Sequence, residues 1–262
     1  MIKRRLFGAA LLTVLALLAS AGSLSARPLS SIKERGRLLV CANPNALPFA
    51  AKTGERHGIQ LELAQALADQ LGVSLEVGWV VFPNQIFSVD CDLVLDSIVD
   101  AEAQDERHVK LSRPYQKSGV ALAFRPGVAP VASYADLKPG LRIGTMVSSL
   151  ARVYLGKHDI ATIPFTFEDE MVEALGKGEI DVAAVSPATI GFYNLTHPDA
   201  KLQASMAFAS VPELNWSVAV GMRKADDALV DSINAALGKL LTDGTVHRIY
   251  AGYGIEQQAP PP

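Results

Sequence analysis

The sequence predicts an α/β protein with two sheets of the parallel type. Short apolar runs alternate with helical patterns, and the alternation starts afresh about halfway along the chain. Repeated strand–helix–strand order is what parallel sheets with covering helices require. At 262 residues, 49% of them hydrophobic, the chain can build one large core or two smaller ones.

The first set opens with "RLLVCA" (37–42), read as a buried strand. "GIQLELAQALADQLG" (58–72) is a helix, with Leu63, Ala64, Leu67 and Leu71 on one face, Glu62, Gln65 and Asp69 opposite, and Gly72 as its stop. "SLEVGWV", "CDLVLDSIV" and "GVALAF" are the next strands. A Pro- and Gly-rich stretch at 125–140 is the expected break. The second set runs "LRIGT" (strand), "SSLARVYLGKH" (helix with a serine cap), "ATIPFTF" (extended), "FEDEMVEALGKGE" (helix) and "IDVAAVS" (buried strand). "WSVAVGM" and a long helix, "DDALVDSINAALGKLLTDG", complete it. In that helix Leu229, Val230, Ile233, Leu237, Leu240 and Leu241 form the apolar stripe.

The leader stands apart from this pattern. "MIKRR" is a basic n-region, "LFGAALLTVLALLA" an apolar h-region and "SAGSLSA" a run of small residues. This is the pattern of a cleavable secretory signal, residues 1–26, and the apolar run is short for a membrane span. Cleavage after Ala21, Ser25 or Ala26 suits the small residues, and a membrane anchor is the alternative. The expected mature protein is periplasmic, without a membrane span. Losing Lys3, Arg4 and Arg5 takes the formal charge from −3 to −6. An acidic chain is a poor partner for nucleic acid or anionic lipid. Cys41 and Cys91 are the two cysteines. An even pair in an oxidising compartment favours a disulfide, with two buried free thiols as the alternative. Cys41 ends its strand and Cys91 leads its own, so the bridge is expected to need a loop that folds back.

Enzymatic patterns do not emerge. There is no G-x-x-x-x-G-K-[ST] loop and no G-x-S-x-G elbow, and the five histidines are scattered without metal-ligand spacing. The acids of "FEDEMVE" match the dipole-favoured start of a helix. No catalytic constellation, metal or cofactor is expected. That leaves binding, which in open α/β sheets occurs beyond the carboxyl ends of the strands. The segments leaving those ends carry Asn43, Asn45 and Phe49; Phe82, Asn84 and Phe87; Ser97; Thr145, Ser148, Ser149 and Arg152; and Ser186 and Thr189. Tyr115 leads into the fourth strand. Hydrogen-bonding groups with a few rings suit a cleft for a small molecule. "TMVSS", opening a helix, offers free N–H groups to an anion or a carbonyl.

"GIQLELAQALADQLG", "DERHVKLSRPYQKSG", "GEIDVAAVS" and "VAVGMRKADDALVDSINAAL…DGTVHRIYAGYG" occur in the order and spacing of a known family. They resemble the periplasmic solute-binding proteins of polar amino-acid transporters. The resemblance covers nearly all of the mature chain. It implies a two-lobe type II fold: lobe 1 from 37–119 and 220–255, lobe 2 from 120–219, hinge strands near "SGVALAF" and "NWSVAVG", and a flexible tail at 256–262. It also implies a monomer, a small-molecule ligand and, for a transport receptor, a permease partner. Two positions depart from the family. Its arginine for the ligand carboxylate falls on Asp105 here, with Arg107 two positions away and Arg152 as another candidate. Its aspartate for the ligand ammonium falls on Ser186. These departures predict a ligand that is not a zwitterion, because an unpaired charge buried in a cleft costs several kcal/mol. A narrower resemblance joins "VCANPNALPFA" and "CDLVL" to binding-protein-like components that accompany quinoprotein (PQQ-dependent) methanol and alcohol dehydrogenases. It implies a role as accessory or maturation partner of such a dehydrogenase.

Overall fold

The computed structural model describes residues 28–100, 109–258 and 260. In chain order the first half holds α1 (Leu29–Arg35), β1 (Arg37–Ala42), β2 (Asn45–Ala46), β3 (Ala50–Ala51), α2 (Ile59–Leu71), β4 (Ser74–Trp79), α3 (Ile86–Val89), β5 (Leu93–Ile98), β6 (Val109–Leu111) and β7 (Gln116–Gly119). There follow β8 (Ala121–Phe124), β9 (Ile143–Met146), α4 (Leu150–Lys157), β10 (Ile163–Phe165), α5 (Glu168–Gly176), β11 (Val182–Val185), α6 (Pro187–Thr196) and β12 (Gln203–Ser205). The chain closes with β13 (Asn215–Arg223), α7 (Asp227–Thr242) and α8 (Thr245–Gly252).

The strands form two large sheets of one plan. The first runs β4-β1-β5-β13-β6, with β7 also on β13, and the second runs β10-β9-β11-β8-β12. In each, three neighbouring strands are parallel and the fourth lies antiparallel to them. The chain passes from one sheet to the other at Val120, between β7 and β8, not in the 125–140 stretch that the Pro and Gly content suggests. It returns at β13. The two crossings lie side by side: Asn215 pairs with Gly119, and the Val120 amide donates to the Leu214 carbonyl at 2.9 Å.

Three apolar cores follow from the sequence periodicities. Leu63, Leu67 and Leu71 of α2 meet Leu229, Ile233, Leu237 and Leu240 of α7 and Val246 and Tyr250 of α8 on the first sheet. The second sheet is covered on both faces, so its strands alternate between cores. Ile143, Leu122, Phe124 and Val182 face α4, with Ala151 and Leu155, while Ala121, Ala123, Ala183 and Val185 face α5 and α6. Trp216, next to the crossing, packs against the first core and also against the α4-side core.

Local signals set the helix ends. Gly72 stops α2 in the left-handed region at φ 66°. Ser149 caps α4 by accepting from the Arg152 amide, and the Asp226 side chain caps α7 by accepting from Leu229. Helices α6 and α8 are absent from the periodicity reading. Segment 187–196 is apolar around most of its circumference, which blurs its period, although Ser186 as cap and Pro187 in the first turn are helix-start signals. The start of the expected tail is pinned: Lys117 donates its amide to the Gln258 carbonyl at 3.0 Å, and the Gln258 amide donates to Gln116 Oε1 at 2.7 Å.

Cys41 and Cys91 form a disulfide, with Cα atoms 5.6 Å apart. No loop has to fold back, because β1 and β5 are staggered. Val40 and Cys41, late in β1, pair with Leu93 and Val94 at the start of β5, which brings Cys91 alongside. The bridge is buried with Val80 and closes a 50-residue separation. Chain-entropy reasoning gives such a loop about 4 kcal/mol. The Cys41→Ala/Cys91→Ala variant is therefore expected to lose about 3–4 kcal/mol of unfolding free energy in urea titration. The non-reduced wild type is expected to show no alkylatable thiol by mass spectrometry.

Candidate functional site

The connections that leave the carboxyl ends of β1, β10 and β11 share one cavity. Leu47, from the connection after β1, shares one cavity of ≈ 660 Å³ with Phe165 at the end of β10 and with Thr189 and Phe192 of α6. The backbone between β1 and α2 is doubled into a β2–β3 hairpin, Asn45 opposite Ala51. Asn43 holds its turn from within, its Oδ1 accepting from the Asn45 amide at 2.9 Å. Phe49 is half-buried, and its carbonyl accepts from the Gln60 amide at 2.9 Å, seating the hairpin on the first turn of α2. Gly58 makes this possible: it has φ 97°, and a Cβ there would lie 2.4 Å from the Phe49 oxygen.

Beneath the hairpin stands Asp96, in a bulge of β5 at φ 53°. Its Oδ1 accepts from the Tyr115 hydroxyl at 2.6 Å and its Oδ2 from Gln60 Nε2 at 2.8 Å. The Asp96 amide donates back to the Tyr115 oxygen at 2.9 Å. Tyr115 is fully buried, so it supports the site from below and is not a cleft wall. Ser97 spends its hydroxyl on the Val94 carbonyl at 2.9 Å. Burial pushes the Asp96 carboxyl up against the lowering effect of its two donors, and it pushes the Tyr115 phenol up further.

In the second sheet the ends of β9 and β11 are adjacent, since Thr145 pairs with Ala184. Gly144 faces Met171 and Ile180, so the alternation turns Thr145 toward α4. Thr145 is fully buried, and its Oγ1 has no hydrogen-bond partner. Nη1 of Arg152, in the first turn of α4, is likewise buried and without one. Ser148 is exposed at φ 60°, and Ser149 caps the helix. After β11, Ser186 donates its amide to Glu168 Oε1 at 3.0 Å and its hydroxyl to Oε2 at 2.9 Å. The Thr189 hydroxyl donates to the same Oε2. Burial raises the Glu168 carboxyl above its ordinary range, partly offset by these donors. Glu168 is thus not the exposed helix-start acid that "FEDEMVE" suggests; its carboxylate is folded inward onto Ser186.

Phe82, Asn84 and Phe87 stand apart from this group. They follow β4, the edge strand, in the crossover that runs back to the start of β5. All three are exposed, and Phe87 lies under the Arg223 guanidinium at 4.7 Å, beside the amino end of β5. Asp105 and Arg107 lie outside the described residues. The signals that pointed to Gln60, Asp96 and Glu168 were weak. Gln60 and Glu168 read as ordinary helix residues and Asp96 as an ordinary strand residue until the fold brings each to its hydrogen-bond partners. Among the described residues, no group of three potential metal ligands occurs, and no helix is long and apolar enough to cross a membrane.

The pH response follows from these acids. A raised carboxyl binds its proton more tightly in the folded chain than in the unfolded one. Its stabilising contribution is present below the unfolded value of about 4 and is lost as pH rises through the folded value. Asp181, held low by Arg142 and Arg125, has the opposite sign. Glu168→Gln keeps one oxygen to accept from the Ser186 amide, turns the other position into an NH2 donor that the Ser186 and Thr189 hydroxyls can accept from, and removes the charge. It is expected to be more stable than wild type at pH 7, with the difference closing toward pH 4, as read by urea unfolding at both pH values.

Comparison with known proteins gives the same architecture. The family model of bacterial extracellular solute-binding proteins, family 3, matches residues 38–256, and the chain belongs to that family. The L-cystine-binding protein TcyJ of Escherichia coli (strain K12) is 26% identical over 228 residues, 84% of each chain. The membrane-bound lytic murein transglycosylase F of Cronobacter sakazakii is 24% identical over 240 residues, and the match spans 86% of this chain but 45% of that enzyme. Among solved structures, an ABC uptake transporter substrate-binding protein from Streptococcus pneumoniae with bound histidine superposes with TM-score 0.71 at 16% identity. It covers 87% of this chain and 98% of that one. This likeness shows the shared fold.

Proposed function

We propose that this family-3 protein is an exported, non-enzymatic receptor that closes on a small amino-acid-related solute and delivers it to a membrane permease of the ABC type. One observation carries the reading: connections from the carboxyl ends of both sheets line one cavity, Leu47 from the first and Phe165 and Thr189 from the second, and two adjacent strands join the halves. A ligand touching both edges would hold them together, because it contacts the closed form more than the open one. The cystine-binding and histidine-bound relatives support a solute of the amino-acid class.

We place a carboxylate of the ligand at the β9–α4 turn. Thr145 Oγ1 and Arg152 Nη1 are buried there without partners, and the start of α4 offers N–H groups to an anion. The position read as lacking an acid, Ser186, has the Glu168 carboxylate on its amide and hydroxyl. The case against a zwitterion therefore weakens, and the transport receptor becomes the better reading of the two sequence resemblances. A partnership with a quinoprotein dehydrogenase rests on sequence motifs alone. We infer a periplasmic monomer, with residues 1–26 removed on export.

Calorimetry of the mature chain against the common amino acids and cystine is expected to show at least one binding in the micromolar range or tighter. Scattering is expected to show a smaller radius with that ligand bound. Arg152→Ala is expected to weaken it about ten- to a hundredfold, the usual scale for a hydrogen bond to a charged group. An unchanged affinity would remove Arg152 from the site.

A further inference from the structure

We propose that α6 and the segment that follows α8 form a latch between the two halves. The latch is made by protein groups alone, and it biases the chain toward the arrangement in which Leu47 meets α6. It concerns the motion of the halves and does not depend on which solute is bound.

Helix α6 is apolar on two faces. Ile190 and Tyr193 are buried in the core that α6 shares with α5. Ala188, Gly191, Phe192 and Leu195 recur at the spacing of a second stripe. That stripe is turned toward the other half of the chain. Ala188 and Phe192 pack against the core of the first sheet, although α6 lies between β11 and β12 of the second. Gly191 and Gly254 meet backbone to backbone. A Cβ on Gly191 would also stand 3.3 Å from Ile255 Cγ1, and a Cβ on Gly254 would stand 2.9 Å from the Leu195 Cβ. Gly254 has φ 73°, a conformation that favours glycine, so the turn after α8 presents bare backbone to the helix.

The seat of this contact is stiffened from behind. Gln257 Nε2 donates to the Tyr115 carbonyl at 3.0 Å, and Gln258 exchanges the bonds already described with Gln116 and Lys117. Tyr115 immediately precedes β7, and Gln116 and Lys117 belong to it. Residues 253–258 thus reach from the crossing strand to α6, with Tyr253 and Ile255 buried along the way. Parting the halves separates the α6 stripe from Gly254 and Ile255 and returns apolar surface to water, which opposes the motion. The same motion carries Thr189 and Phe192 away from Leu47 across the cavity. Latch and cavity wall are therefore two faces of one helix. A contact of this kind raises the population of the narrowed form, and with it the apparent affinity for whatever fills the cavity.

The test is small-angle scattering of the mature chain without added solute. Gly191→Leu directs a side chain at the Gly254 backbone and is expected to give a larger radius of gyration than wild type, with the same far-ultraviolet circular dichroism. A folded Gly191→Leu variant with the wild-type radius overturns the latch, even if it melts earlier, because loss of stability alone leaves the halves where they were. Should that variant not fold, Leu195→Glu, at the half-exposed end of the stripe, decides by the same reading. A solute found by calorimetry is expected to bind the folded variant about tenfold more weakly, as a competent fraction cut to about one tenth requires. Unchanged affinity also overturns the latch. If no amino acid binds the wild type, the receptor reading falls, and the scattering comparison still decides the latch.

Discussion

The structure depends on one pair of antiparallel crossings. β7 and β13 are hydrogen-bonded to each other, β7 leading the chain out of the first sheet and β13 bringing it back, so the first sheet cannot be completed until the second half has been traversed. The crossing is held at both ends. Asn215 donates its side-chain amide to the Phe208 and Val211 carbonyls at 2.7 and 2.8 Å, on the second-sheet side. On the first-sheet side, β13 is fixed between β5 and β6. Trp216 lies against a core from each half.

The acids of the protein divide by environment. Asp181 and Asp92 are structural. Asp181 sits between Arg125 and Arg142, and Asp92 is fully buried under the Arg35 guanidinium, with an oxygen accepting from the Leu39 amide. Asp96 and Glu168 are held by neutral donors alone and carry raised carboxyl values. The first pair stabilises its surroundings by charge pairing. The second pair carries its charge at a cost, because neutral donors only partly offset the loss of solvent around it. Carboxyls raised by desolvation, one in each half, are candidates for function.

The halves also communicate through Tyr253. Its hydroxyl donates to Glu62 at 2.6 Å and accepts from the Gly58 amide at 2.7 Å. Its ring meets Phe192 of α6 at 5.7 Å. Gly191 and Gly254 let the two backbones approach: a Cβ on Gly191 would lie 2.6 Å from the Gly254 oxygen. The base of the β1–α2 connection and the helix behind the cavity are thereby tied to one buried ring.

The sequence by itself determined the elements and their class. Leucine spacing wrote α2 and α7, Ser149 and Asp226 marked helix starts, and the strand–helix alternation, begun twice, required two parallel-type sheets. The segments at the carboxyl ends were legible for the same reason, since connections are written in local turn chemistry. Only the tertiary structure decided what depends on register and burial. The stagger of β1 on β5 put the two cysteines side by side, and the edge position of β4 took Phe82, Asn84 and Phe87 away from the other segments. The fold of α5 beside β11 turned Glu168 from a solvent-facing helix acid into a half-buried partner of Ser186. Periodicity records which face of an element is apolar. It carries no term for which element lies across from it, and a charge acquires its chemistry from that neighbour.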